Sequence, residues 1–385
     1  MLYGGGFVLK IWVIGRGIPT KNNRMMGSFE LGQAKLLSDK NDVSYLAQVF
    51  TFNPKKGTEG LRFRKEFDEN VRTFSRTVPY FPGRFNIHLQ AYIYYQWRVF
   101  LEKVEENTGM PDIIHIHYPA RTGAYEAFKI YKERGVKLVC TEHWTHVLKK
   151  QLDSYELDQL IKYVENADAF ICVGEPLKQA IYELVNTKRS ILVIPNFVED
   201  IFHITDRNHN IEKFEFVTVG RLVKVKQVDK VILAFNDLLK SREDVHLTII
   251  GYGEEYEILQ TLTEELNITE FITFTGTLSR EEVAERISKA NCLVCFSNCE
   301  TFGVPIIEAW ACGLPVISSD ALGFSEYWRD DLGFIVEQDN VQLLTKKMDE
   351  IISFAPDKEA VHDYAMRNFG EESIKAQIEQ IYNNL

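Results

Sequence analysis

No apolar run in this 385-residue chain reaches the roughly 20 residues that a membrane helix needs, and the runs near its start are broken by Lys10 and Arg16. The reading is therefore of a soluble protein without a signal peptide. Cysteine is sparse, with six in all. Cys292, Cys295 and Cys299 lie close enough to suggest a metal or iron–sulfur cluster. Residues 290–297, however, read as a buried strand in which positions three apart point to opposite faces, so free thiols in a reducing cytoplasm are expected. No Asp-x-Asp pair, internal repeat, low-complexity run or heptad array occurs. The pairs Gly15/Gly17 and Gly251/Gly253 each begin a G-x-G-x-x-G fingerprint, but Thr20 and Tyr256 fill its third position. That argues against a nicotinamide enzyme.

Positive charge is also short overall, with a formal net of −11, but it is unevenly placed. The first 200 residues hold 27 Lys and Arg against 23 Asp and Glu, and the remainder 17 against 32. So acidic a chain makes nucleic acid a poor partner, whereas the basic first half suits an anionic membrane surface or a phosphorylated acceptor. Residues 55–103 carry ten Lys or Arg against five Asp or Glu, together with Tyr80, Phe81, Phe85, Tyr92, Tyr94, Tyr95, Trp97 and Phe100. Basic plus aromatic is the composition of an interfacial surface. The same aromatics equally suit a helix packed on a core.

A chain of this length with 45% hydrophobic residues can fill two cores. Apolar, β-rich runs recur at 7–14, 43–49, 113–117, 138–141, 169–173 and 191–194. A second series follows at 214–219, 245–250, 271–274, 292–296, 316–318 and 334–336. Helical-looking stretches separate them, which predicts parallel sheets covered on both faces. Two series predict two doubly wound α/β domains, 1–197 and 198–365, divided near the I-P-N-F-V-E-D segment. The last segment, 366–385, reads as helix following a break at Gly370.

The densest chemistry lies in C-E-T-F-G-V-P-I-I-E-A-W-A-C-G-L-P, residues 299–315. Pro305 suits a first helical turn, Gly313 a left-handed end, and Pro315 a stop. Glu308 then lies early in a short helix, eight positions after Glu300. The N–H groups of Phe302, Gly303 and Val304 face an anion-favouring terminus. A solvated Glu308 and a capping Glu300 are the other reading of that spacing. Upstream, G-R-L-V-K-V-K-Q sets Gly220, Arg221 and Lys226 beyond the end of the strand 214–219, where ligands of open α/β sheets bind. Arg221 suits bidentate phosphate contact and Lys226 a point charge. In P-D-I-I-H-I-H-Y-P, residues 111–119, His115 and His117 share a strand face, with no third metal ligand at a suggestive spacing. The segment 138–145 brings Glu142 and His143 to the mouth of the next strand, for substrate or for capping.

E-x7-E followed by A-x-G-x-P-V resembles the signature of the retaining family-four glycosyltransferases. The resemblance implies the GT-B fold, two Rossmann-like domains facing a central cleft, with the terminal helix crossing back to the first domain. It implies a nucleotide-sugar donor, UDP-sugar being favoured, and neither cofactor nor metal. By it Glu300 meets the donor sugar, Glu308 the ribose, and Arg221 with Lys226 the diphosphate, Lys224 being the alternative to Lys226. His117, the second histidine of a D-x-x-H-x-H element, approaches the donor sugar. Phe302, Gly303, Val304, Gly220 and Gly27 fall on the donor side, and Gly251 and Gly253 either join them or turn the chain. Glu142, His143, Arg16 and Arg24 fall on the acceptor side. The implied product is a capsule, exopolysaccharide or cell-wall glycan made from a glycan or lipid-linked acceptor. The implied location is the cytoplasm, with a peripheral place on the inner face of the membrane left open. A GT-B nucleotide-sugar epimerase and a silent subunit of a glycan-assembly complex are the alternatives.

Overall fold

Fourteen strands alternate with helices along the described residues of this computed structural model, which are 8–19, 26–51, 63–68, 70–79, 86–205, 213–321 and 323–385. The chain forms two compact units. One comprises Met1–Val173, Leu177–Ile194 and Lys375–Leu385, the other Gly174–Pro176 and Pro195–Ile374.

The first unit holds β1 (Lys10–Gly15), β2 (Asp42–Thr51), β3 (Arg64–Asp68), β4 (Val71–Pro79), β5 (Ile113–His117), β6 (Lys137–Glu142), β7 (Ala169–Cys172) and β8 (Leu192–Val193). They form one sheet in the order β3-β4-β2-β1-β5-β6-β7-β8. Every pairing is parallel except β3 with β4. β1, β5 and β7 are almost wholly buried, as expected of strands covered by helices on both faces. The antiparallel edge β3-β4 falls where the sequence suggested a basic, aromatic surface. Polar residues interrupt its apolar pattern, and it is held as strand by its neighbour β2. Of the aromatics in that stretch, Trp97 and Phe100 lie in the core on the helix Asn86–Thr108, while Tyr95 is 59% exposed. Tyr80, Phe81 and Phe85 lie outside the described residues. The helix Glu371–Asn383 ends in this unit, where Lys375 Nζ stands 2.6 Å from Asp39. No helix of the described residues is long and apolar enough to cross a membrane.

The second unit holds β9 (Phe214–Val219), β10 (Val245–Ile250), β11 (Ile272–Gly276), β12 (Cys292–Cys295), β13 (Val316–Ser319) and β14 (Gly333–Val336), in the parallel order β11-β10-β9-β12-β13-β14. Strand order reverses between β9 and β12, and ligands of such sheets bind beyond the carboxyl ends at that point. Cys292 and Cys295 are buried in β12, and all six cysteines are free thiols.

The helix Val304–Ala311 packs its far end through Trp310. That ring is fully buried within 6.2 Å, centroid to centroid, of Phe324, Trp328, Tyr364 and Phe369, and its Nε1 donates to Leu332 O. Trp310→Ala should cost about 3–5 kcal/mol of stability, read from denaturant unfolding. A loss below about 1 kcal/mol would show that this aromatic cluster is not what seats the helix.

Candidate functional site

In the second unit the chain turns at Gly220, whose φ of 155° follows the end of β9. The adjacent loop presses on it. A Cβ at Gly251 would come within 1.9 Å of Gly220 O, and one at Gly253 within 2.2 Å of Leu222 O. Both glycines are therefore required by backbone contact, and they fix the position of Arg221 by letting the two loops touch. Arg221 is exposed and has no acidic partner among the described residues. The short helical turn Lys224–Lys226 leads on, and Asn298 N donates to Val225 O at 2.9 Å, joining the loops beyond β9 and β12.

Across that joint Lys226 Nζ donates to both oxygens of Glu300, at 2.6 and 2.9 Å. Burial opposes the ammonium's charge, but the Glu300 carboxylate outweighs it and holds the pKa of Lys226 above its ordinary value. Of the two lysines weighed, Lys226 is the one brought to Glu300. Beyond Glu300, Gly303 has φ 95° and begins the helix that Pro305 and Gly313 bracket, the latter at φ 68°. Phe302 packs its ring on Phe324 at 4.8 Å. The N–H groups of Phe302, Gly303 and Val304 have no acceptor among the described residues, so the helix terminus is open to an anion.

Glu308 is buried, 1% exposed, and Arg280 Nη2 donates to its Oε1 at 2.7 Å. Arg280 Nε also donates to Glu199 at 3.0 Å. Sequence reasoning missed both partners, though Arg280 left a trace. It opens a helix behind a Ser279–Glu282 capping box, where the dipole disfavours a cation, so its presence signals a task elsewhere.

In the first unit three strand ends converge. Arg16, after β1, binds Glu30 through Nε at 2.7 Å and lies 4.1 Å over the Tyr118 ring. Glu30 itself is fully buried. Tyr118 stacks on His143, His143 on His117, and His117 on His115. His115 is satisfied on both sides, by Tyr382 Oη at 2.6 Å and Thr141 Oγ1 at 2.7 Å. His117 Nδ1 meets His143 Nε2 at 2.9 Å, while its buried Nε2 has no partner among the described residues. Burial, then a neighbouring histidine, depresses the pKa values of His115 and His117 well below the ordinary range.

Glu142 turns its carboxylate to backbone, accepting from the N–H groups of Ala120, His143 and Trp144. That is the capping geometry weighed against substrate contact. Gly27, at φ 72°, starts the helix Ser28–Leu37, and a Cβ there would meet Gly17 O at 2.0 Å. Arg24 lies outside the described residues. Arg121, unforeseen, is exposed beside Arg16 at the end of β5, and the two guanidinium charges repel. Among the described residues no group of three His, Cys, Asp or Glu is gathered for a metal.

Comparison with known proteins matches residues 201–367 to the model of glycosyl transferases group 1 and residues 47–200 to that of Glycosyltransferase Family 4. The chain is 28% identical over 290 residues to N-acetyl-alpha-D-glucosaminyl L-malate synthase of Bacillus anthracis, covering 70% of this chain and 74% of that one. It is 26% identical over 288 residues to the GPI3 subunit of phosphatidylinositol N-acetylglucosaminyltransferase of Saccharomyces cerevisiae, covering 71% of this chain and 63% of the subunit. Among solved structures it resembles sucrose-phosphate synthase from Thermosynechococcus elongatus, with a TM-score of 0.78, 20% identity, and coverage of 97% and 98%. It also resembles Anabaena Alr3699/HepE in complex with UDP-glucose, with a TM-score of 0.71, 17% identity, and coverage of 98% and 100%. These are GT-B glycosyltransferase structures, and the two Rossmann-like sheets match them.

The buried groups of the first unit set opposing pH dependences. Below about pH 6.5 the unfolded chain protonates its histidines while folded His115 and His117 resist, so they lower stability on acidification. Burial raises Glu142 from 4.5 to about 7, so the folded state takes up its proton first and stability rises as pH falls from 7. Glu142→Gln removes that offset. Its stability should fall faster than wild type between about pH 6.5 and 5, by up to about 1.4 kcal/mol per pH unit, measured as denaturant midpoints. Parallel profiles would show that Glu142 does not titrate there.

Proposed function

The chain belongs to the retaining family-four, group 1 glycosyltransferases, and from that premise we propose metal-independent transfer of a sugar from UDP to a hydroxyl of a glycan or lipid-linked acceptor. One observation carries the donor side: Lys226 and Glu300 pair at the β9/β12 crossover, beside Arg221 and a helix N-terminus that have no partner among the described residues.

The bond from the anomeric carbon to the diphosphate breaks with its electron pair passing to the phosphate oxygen, while the acceptor oxygen bonds to that carbon on the same face and its proton passes to the departing phosphate. Arg221, Lys226 and the N–H groups near Gly303 then face more charge in the transition state than before it, which is where binding accelerates reaction. These fixed charges are what a metal would otherwise supply, in keeping with the absence of Asp-x-Asp. Lys226 turns from Glu300 toward phosphate as the donor enters, and Glu300 receives sugar hydroxyls. Glu308 reads the ribose, and the unpaired Nε2 of His117 serves the donor sugar. No carboxylate is assigned as nucleophile.

Both relatives carry N-acetylglucosamine in their names, which makes UDP-N-acetylglucosamine the first donor to try. Their names also set the sugar on malate or phosphatidylinositol, both acidic molecules. Arg16 and Arg121 suit an acceptor with a negative charge. The basic stretch 55–103, with Tyr95 outward, supports a peripheral place on an anionic, cytoplasmic membrane face for a lipid-linked acceptor.

The test is nucleotide release from UDP-, GDP- and ADP-sugars, with and without EDTA, in wild type and Glu300→Gln. Release from one donor, indifferent to EDTA and lost in the variant, is expected. Glu308→Ala and Arg221→Ala should each weaken UDP binding by about 1.5–3 kcal/mol, whereas His117→Ala should lower turnover with UDP affinity kept. Unchanged UDP affinity in both of the first two would overturn the donor-site assignment.

A further inference from the structure

Arg280 is constrained on three sides. Its Nε donates to Glu199 Oε1 at 3.0 Å, its Nη2 to Glu308 Oε1 at 2.7 Å, and its guanidinium carbon lies 4.8 Å from the centroid of the Phe202 ring. A planar fork held at two donors and one face keeps one orientation. The helix it opens gains nothing from it, because Ser279 and Glu282 already cap that end and a cation there opposes the dipole. Glu308 does gain. Its carboxylate is buried, and a buried charge without a partner is strongly disfavoured.

We propose that Arg280 is a positioning residue for the nucleotide, holding and aiming the Glu308 carboxylate at the ribose and so setting the preference for ribose over deoxyribose. Arg280 touches one oxygen of Glu308 and leaves the other without a partner among the described residues. A site built to accept hydroxyl hydrogens loses most when the hydroxyl is missing. The charged groups acting on Glu308 among the described residues are Arg280 and Glu199. Burial raises the Glu308 pKa, Arg280 opposes that rise, and Glu199 adds to it. Removing Arg280 therefore brings protonation of Glu308 toward neutral pH. The inference rests on Glu308 being the ribose carboxylate.

The experiment titrates UDP, 2′-deoxy-UDP and 3′-deoxy-UDP into wild type, Arg280→Met, Arg280→Lys, Glu308→Gln and the Arg280→Met/Glu308→Gln double variant, between about pH 6 and 8.5. Wild type should favour UDP over at least one deoxy analogue. Arg280→Met should bind UDP about tenfold more weakly at neutral pH, recover affinity as pH rises, and lose the deoxy discrimination, with kcat at saturating donor near wild type. Arg280→Lys should flatten the pH profile but not restore full affinity, since an ammonium supplies charge without the fork. The double variant should be no weaker than Arg280→Met and should lack its added pH dependence. If the single methionine variant fails to fold, the lysine and double variants carry the comparison. Wild-type UDP affinity in Arg280→Met, or an equal loss at every pH with discrimination intact, overturns the proposal. Wild-type behaviour of Glu308→Gln overturns the reading of Glu308 itself. Impairment there with none in Arg280→Met overturns only the role of Arg280.

Discussion

A carboxylate taken out of water must find a cation or surrender its charge, and the second unit meets that constraint twice within one loop and helix. Glu300 has Lys226 and Glu308 has Arg280. Each cation comes from a different crossover of the sheet, Lys226 from the loop after β9 and Arg280 from the helix after β11. The two ion pairs thus tie the loop after β9 and the helix after β11 to the loop and short helix that carry the two glutamates. Glu199 shares Arg280, so two cations there face three carboxylates before any donor arrives. Arg221 stands outside this set, exposed and unpaired among the described residues. In the proposed reading an entering diphosphate meets that guanidinium and the open helix terminus, and Lys226 leaves Glu300 to join them.

The first unit answers the same constraint in the same way at Glu30, which has Arg16, and differently elsewhere. Burial there falls on imidazoles, which shed charge at little cost and stack as neutral rings. His115 has both nitrogens occupied, so its orientation is fixed by Tyr382 on the terminal helix and Thr141 on β6. His117, stacked on it, inherits that order and keeps one nitrogen without a partner among the described residues. Glu142 is buried without a cation. Three backbone N–H groups oppose the rise that burial imposes on its pKa but do not cancel it.

These differences explain what could be read in the sequence. The candidate donor side was legible because its geometry is local: Glu308 stands eight positions after Glu300 across one loop-to-helix junction, and Pro305 and Gly313 mark the helix that orders them. The alternation of apolar runs located twelve of the fourteen strands, since buried parallel strands write themselves as continuous apolar segments. β3 and β4 escaped because an edge pair with polar alternation is made strand by its neighbour rather than by its own composition. Arg280 and Tyr382 escaped because each acts on a residue far along the chain, and no spacing rule links position 280 to 308 or 382 to 115.

Gly251 and Gly253 carry a motif open to two readings, donor contact or a turn of the chain. A G-x-G turn after a strand suggests a backbone opened for phosphate, yet here the space each glycine leaves is filled by protein, the carbonyls of Gly220 and Leu222. By letting two loops touch, the two glycines hold the backbone on which Arg221 stands, and a side chain at either position would displace that backbone before it met any ligand. The same spacing in the chain can therefore serve a nucleotide through contact or through scaffold.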